Sequence, residues 1–279
     1  MFIIVGFIVV IVAVTGGYFL AHGNFVVLFQ PAEFLIIMGS AAGAFIIGTP
    51  VPIMKKVFAA IASGVTGKSG GHKLYMSLLK VLYEFGSLVR KEGILAMENH
   101  VENAKGSEIL RDINHRTELV DFMRDSLRLV LMGIPTEDLA RMIDTDIDVR
   151  EEESAEPHEA LSTIADSLPG LGIVAAVLGI IITMNSIGGE SATVGKHVAA
   201  ALVGTFLGVL LCYGFVGPLA RVVKTECHHD LVLMRVARVG ILSISLGDNP
   251  LIICESARRA IPMDERPDFK TMEDTLKKK

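Results

Sequence analysis

Two apolar runs, residues 170–187 and 198–216, constrain this chain more than anything else in it. Neither contains an Asp, Glu, Lys, Arg or His. Each approaches the roughly 20 residues that an α-helix needs to cross the core of a bilayer. Backbone in lipid must satisfy its own hydrogen bonds, so such runs are helices. They carry small residues at helical spacing: Gly204 and Gly208 form a G-x-x-x-G, and Ala175 and Gly179 a small-x-x-x-small pair. Small residues let helix backbones approach closely, and in lipid that packing replaces the hydrophobic effect. Thr205 adds one polar group in the middle of the second run. Two readings follow: a pair of anchors, or a pair of helices that pack around something and line a path.

The charges show that these runs are part of a larger alternation. The chain is 51% hydrophobic, yet 20% of its 279 residues are charged. Both hold only if the charges are segregated. Residues 1–54 carry one acid, Glu33, and no Lys or Arg; residues 55–166 are charge-rich; 169–218 are nearly charge-free; 220–279 are charged to the end. The pattern is that of a membrane protein with two hydrophobic hairpins and two aqueous segments. The fold class expected is an all-α integral membrane protein with four transmembrane helices. A helical cytoplasmic domain accompanies them, with long third and fourth helices extending into the cytoplasm. A net charge of −5 argues against nucleic acid as a partner. Cys212, Cys227 and Cys254 have no disulfide or zinc spacing, which points to a reducing compartment for the aqueous parts.

Residues 1–21 lack the basic start of a signal peptide and are too long for its apolar core, so they read as a first span. A second span is expected from about residue 32 to residue 52, with Gly39 and Gly43 as another close-approach face. Lys55, Lys56, Lys68 and Lys73 follow at once, which places that side in the cytoplasm by the positive-inside bias. Both termini are then cytoplasmic and the protein is a multi-pass chain of a cell membrane. The domains expected are a hairpin at 1–54, a cytoplasmic helical domain at 55–160, a second hairpin at 161–220, and a cytoplasmic extension and tail at 221–279.

Within the first aqueous segment residues 72–101 have helical periodicity: Leu74, Leu78, Leu79, Leu82, Phe85 and Leu88 repeat at threes and fours. Further helices are expected over residues 117–132 and 136–147, the latter opened by Thr136 with Glu137 and Asp138 in its first turn. Another begins near Pro157 and enters the membrane. The acidic stretch between, residues 144–156, reads as a solvated face or loop. After the fourth span the helical pattern continues to Gly247, and a last helix covers 250–260. Beyond Pro262 the tail is expected to be poorly ordered.

Motifs for chemistry are few. Residues 62–71 end in GKSGG, but the phosphate-binding loop needs a Gly at position 62, which is Ala, and a preceding strand. A Gly/Ser hinge is the better reading. Glu226, Cys227, His228, His229 and Asp230 are consecutive, so on a helix they diverge by about 100° each and cannot converge on a metal. No cofactor and no enzymatic activity are expected. The spans lack a mid-depth carboxylate; Glu33 and Asp166 lie at span ends. Intramembrane acids are the usual proton relays, so any ion path needs an acid from a partner. Pro169 suits the first turn of a helix. Pro218 either ends the fourth span or, if the helix continues, frees the Gly214 carbonyl and bends it.

These residues resemble the stator proteins of the MotA/TolQ/ExbB family over nearly the whole chain. The resemblance is sharpest at residues 166–179, DSLPGLGIVAAVLG, and 203–219, VGTFLGVLLCYGFVGPL, with ERPDF at 265–269 as a C-terminal signature. It implies a flagellar motor stator subunit of the bacterial inner membrane, a homopentamer around a dimer of a single-span MotB-like partner that supplies the missing carboxylate. It implies proton flow past Pro169, Thr205 and Pro218. Arg90 and Glu98 would then act on the rotor protein FliG from a rotor-facing domain at 55–160; without the resemblance they read as a solvated helix end. Sodium-driven relatives carry Thr where this chain has Ala176, and a methyl offers sodium no oxygen. Protons are therefore the expected ion, although Thr183 could contribute an oxygen. The alternative is an ExbB/TolQ-type energiser of outer-membrane transport, against which the four spans and the Arg90/Glu98 pair speak.

Overall fold

The computed structural model describes residues 2–66, 71–184 and 191–277. The expected hinge at 67–70 and the connection at 185–190 lie outside the described residues. The helices are α1 (Phe2–Leu20), α2 (Pro31–Gly48), α3 (Val51–Thr66), α4 (Gly71–Glu92), α5 (Thr117–Leu131), α6 (Thr136–Met184), α7 (Ser191–Leu210), α8 (Gly217–Ser245), α9 (Pro250–Arg259) and α10 (Phe269–Lys277). A six-residue π-turn, Leu211–Val216, joins α7 to α8 without a break. Four helical stretches are long and apolar enough to cross a membrane: Phe2–Leu20, Phe25–Gly48, Thr136–Met184 and His197–Ser245.

The chain forms two compact units. The first comprises residues 1–68 and 154–226, the second 69–153 and 227–279. In the first, α1 is apolar throughout and none of its residues is buried. A helix apolar all round seeks lipid or other helices. It touches the π-turn, where Phe7 and Phe215 rings lie 5.1 Å apart. Along α2 the buried residues are Glu33, Ile37 and Ala41, one stripe at i, i+4, i+8. Ile37 and Ala41 share a small core with Ala165, Leu168, Ala175 and Cys212. The second span stops at Gly48, short of the expected residue 52. Thr49, forced into extended backbone before Pro50, breaks it, and α3 restarts at Val51.

The second unit is held by large side chains. Tyr75, Leu78, Leu79, Leu82 and Phe85 of α4 are buried against Phe122, Met123 and Leu127 of α5, the start of α6, the end of α8, and Ile253, Cys254 and Ala257 of α9. Gly240 of α8 lies close under Leu82: a Cβ there would stand 2.4 Å from Leu82 Cδ1, so that side chain would have to shift.

Two expectations fail here. The helix over 136–147, the acidic stretch and the helix from Pro157 are one helix of 49 residues, α6, with Pro157 and Pro169 inside it, so that of the two readings of the acidic stretch the solvated face holds and the loop does not. The acidic stretch is a helical face because arginines meet it: Asp144 takes both guanidinium nitrogens of Arg238, and Arg235 donates to Glu151 at 2.5 Å. Those arginines lie more than 80 positions away along the chain, beyond the reach of a local pattern. The tail is not loose either. α10 buries Met272 and Leu276, and Asp268 caps it by accepting from the Lys270 and Thr271 amides.

Candidate functional site

The site is built where α6 and α7 meet. A Cβ placed on Gly172 would lie 2.8 Å from the Gly204 carbonyl oxygen and 3.1 Å from Gly208 Cα. One placed on Gly208 would lie 2.5 Å from the Leu168 carbonyl and 2.9 Å from Gly172 Cα. One on Gly204 would meet Ala175 Cβ at 3.2 Å, and one on Gly179 would meet Ala201 Cβ at 3.0 Å. These are backbone-to-backbone approaches, so the neighbours cannot move aside as a side chain would. Of the small residues expected from the sequence, Ala175, Gly179, Gly204 and Gly208 form this seam, whereas Gly39 and Gly43 have nothing within 4 Å of a Cβ. Gly172, Ala201 and Leu168 were not singled out beforehand, although Gly172 and Gly179 are seven apart, which already places them on one helical face.

The remaining residues lie beside the seam. Pro169, Ala176 and Thr183 are spaced by seven along α6 and share one face of it. The Ala176 amide nitrogen is 3.2 Å from where a Gly204 Cβ would stand, so Ala176 and Thr205 occupy the same level. Thr205 is half-buried and Thr183 buried. The Thr183 hydroxyl donates to the Gly179 carbonyl at 2.8 Å, a bond that restrains its orientation. Pro169 lies within α6 and leaves the Ala165 carbonyl without its usual i+4 donor.

Pro218 settles between its two readings: the helix continues past it. The chain accommodates it by widening. In the π-turn the Gly217 amide donates to the Cys212 carbonyl, five residues back. A side chain at Gly217 would meet that carbonyl oxygen at 2.8 Å. The extra residue per turn relieves the clash that Pro218 would make with the carbonyl of Gly214. Below it, His158 Nδ1 lies 2.9 Å from the Ala220 carbonyl oxygen, a hydrogen-bond distance between α6 and α8.

In the second unit Arg90 is exposed in the last turn of α4. It borders a cavity of about 180 Å³ with Gly86, Val89, Ile244, Gly247, Asp248 and Ile253. Gly93 turns the chain at φ 89°, and exposed Glu98 opens the short helix Glu98–Glu102. Neither charge is in an ion pair among the described residues. The ERPDF segment has a structural task. Arg266 donates to the Arg259 and Ile261 carbonyls, and Arg258 donates to the Pro267 carbonyl at 2.9 Å, clasping the tail to the end of α9. Burial, reinforced by Glu265, pushes the Tyr75 hydroxyl far above the usual phenol range. Among the described residues no group of three or more His, Cys, Asp or Glu could hold a metal ion.

Comparison with known proteins agrees with this geometry. Residues 4–93 match the family described as Motility protein A N-terminal, and residues 114–235 match the MotA/TolQ/ExbB proton channel family. Motility protein A of Salmonella typhimurium is 36% identical over 99% of this chain and 95% of its own. Chemotaxis protein LafT of Vibrio parahaemolyticus is 35% identical over 97% and 96%. The fold matches that of C. jejuni MotAB with a TM-score of 0.78 at 20% identity, over 95% of this chain and 98% of that one. Near-complete coverage at this identity, with both family segments in order, establishes that the chain belongs to the motility protein A family of the MotA/TolQ/ExbB proton channel proteins.

Proposed function

We propose that this chain is the ring-forming stator subunit of a flagellar motor, converting proton flow into torque. The observation that carries the reading is the α6–α7 seam, with Ala176 and Thr205 level beside it. Close backbone packing gives two helices a fixed spacing. The face next to the seam then presents the hydroxyls of Thr205 and, further along, Thr183 among small side chains, and no charge of its own, to a passing ion. A carboxylate has to come from elsewhere, since an unpartnered acid at mid-depth is costly. The C. jejuni and Bacillus subtilis structures of similar fold are MotAB complexes. A MotB-type dimer within a ring of five copies of this chain is the source we infer.

Protonation of the partner's acid removes a charge from the low-dielectric centre of the ring. The π-turn before Pro218 is the place where the fourth span can adjust to that change, because its hydrogen bonds already run five residues back. Residues of α6 and α8 belong to both units, and the second unit carries Arg90 and Glu98. These charges act on the rotor protein FliG. Exposed pairs contribute about 0–1 kcal/mol and are screened within roughly 8 Å at physiological salt, which suits a contact that must release at every step. Ala176 leaves Thr205 as a single hydroxyl at that level, too few oxygens for sodium. The orientation that fits has both termini in the cytoplasm, on the side of Lys55 and Lys56.

The test is motility in a stator-deleted strain complemented with this chain and its MotB-like neighbour. Speed should ignore sodium and collapse with a protonophore. Sodium-dependent speed would overturn the choice of ion, and absence of rescue at normal membrane levels would overturn the stator reading.

A further inference from the structure

Two polar atoms in the first unit are buried without a hydrogen-bond partner: Glu33 Oε2 and His197 Nδ1. Glu33 is only 8% exposed. It lies at a span end, as the sequence places it, in the first turn of α2, and there it begins the buried stripe that Ile37 and Ala41 continue. α2 packs against α7, and His197 stands in the first half of α7. The seam register, Gly172 with Gly208 and Gly179 with Ala201, sets His197 level with Thr183, at the end of the spans where α6 finishes. The short helix Phe25–Leu28 that leads into α2 packs against α7 as well.

The position of Glu33 in the first turn of α2 explains why an anion is tolerated, since the helix dipole favours it there. It does not explain an oxygen left empty. A buried carboxyl group that lacks a partner is costly to keep, and one inside a membrane marks an ion route. We propose that Glu33 is a proton-loading site at the water-facing entrance of the path, with His197 as its counterpart on α7. This rests on the stator reading above. The carboxylate takes a proton from hydronium in the water on that side, giving the carboxylic acid and a water molecule, and the free Nδ1 of His197 is the next acceptor. Among the described side chains His197 is the titratable group that α7 brings. Phe25–Leu28 brings none, and α6 brings apolar Ala165, Leu168 and Ala175 to α2, with Asp166 at the opposite end of the span.

The test is proton uptake into right-side-out vesicles from cells that make this chain with its MotB-like partner, as a function of external pH. Glu33→Gln should lower uptake several-fold. Glu33→Asp should retain most of it. Wild-type uptake together with unaltered Glu33→Gln uptake at every pH would overturn this inference and leave the stator reading standing. No uptake with wild-type chain would overturn both. If Glu33→Gln is lost from the membrane, His197→Gln decides: a several-fold fall supports the site, and wild-type uptake overturns it.

Discussion

The two units solve the same packing problem with opposite means. In the first, α6 and α7 are held by what is missing: Gly172, Gly179, Gly204 and Gly208 bring backbone against backbone. In the second, α4, α5 and α9 are held by what is present, a core of Phe85, Phe122, Leu78 and their neighbours, rimmed by arginine–carboxylate pairs. The solvent accounts for the difference. Water drives large apolar side chains together at about 25 cal/mol per Å². Lipid is as apolar as leucine and provides no such drive, so contact surface and short distances must serve instead.

Reciprocal substitutions are the direct way to break this contrast. In the second unit Phe85→Ala should cost about 3–5 kcal/mol, read as lost thermal stability of the purified protein in detergent. In the first, Gly208→Val should cost about 3 kcal/mol by overpacking against the Leu168 carbonyl, with loss of motility. Gly170 has nothing within 4 Å of a Cβ, and Gly170→Ala should be neutral or stabilising by under about 1 kcal/mol. Equal effects at Gly208 and Gly170 would end the distinction between seam and open glycines.

Smaller effects sharpen it. At the pairs, Glu255 is held down to about 2 by hydrogen bonds from Arg258 and then Arg259, against opposing desolvation. Its folded value is below its ordinary 4.5, so its contribution is fully present above pH 4.5 and lost as pH falls toward 2. That contribution is about 1 kcal/mol, and Glu255→Gln should flatten the acid limb of a melting-temperature profile. Arg90→Glu and Glu98→Lys should change stability by less than about 0.5 kcal/mol while reducing swimming torque. A large fall in melting temperature for either would make them structural residues.

The sequence by itself determined the spans and their order, because uninterrupted apolar runs admit one secondary structure in lipid. It also determined the seam face, because small residues at spacings of three, four and seven must share a side of a helix. Helical periodicity over 72–101 and 117–132 was legible for the same reason, although the first run breaks at Gly93. Only the tertiary structure decided three other things. Residues 144–156 are helix because Arg235 and Arg238, far along the chain, neutralise their charges. The tail is ordered because Arg258 and Arg266 reach carbonyls that no local pattern pairs with them. Glu33 is buried because α2 turns that face toward α7, and the direction a helix faces is set by its neighbours, which a linear pattern does not contain.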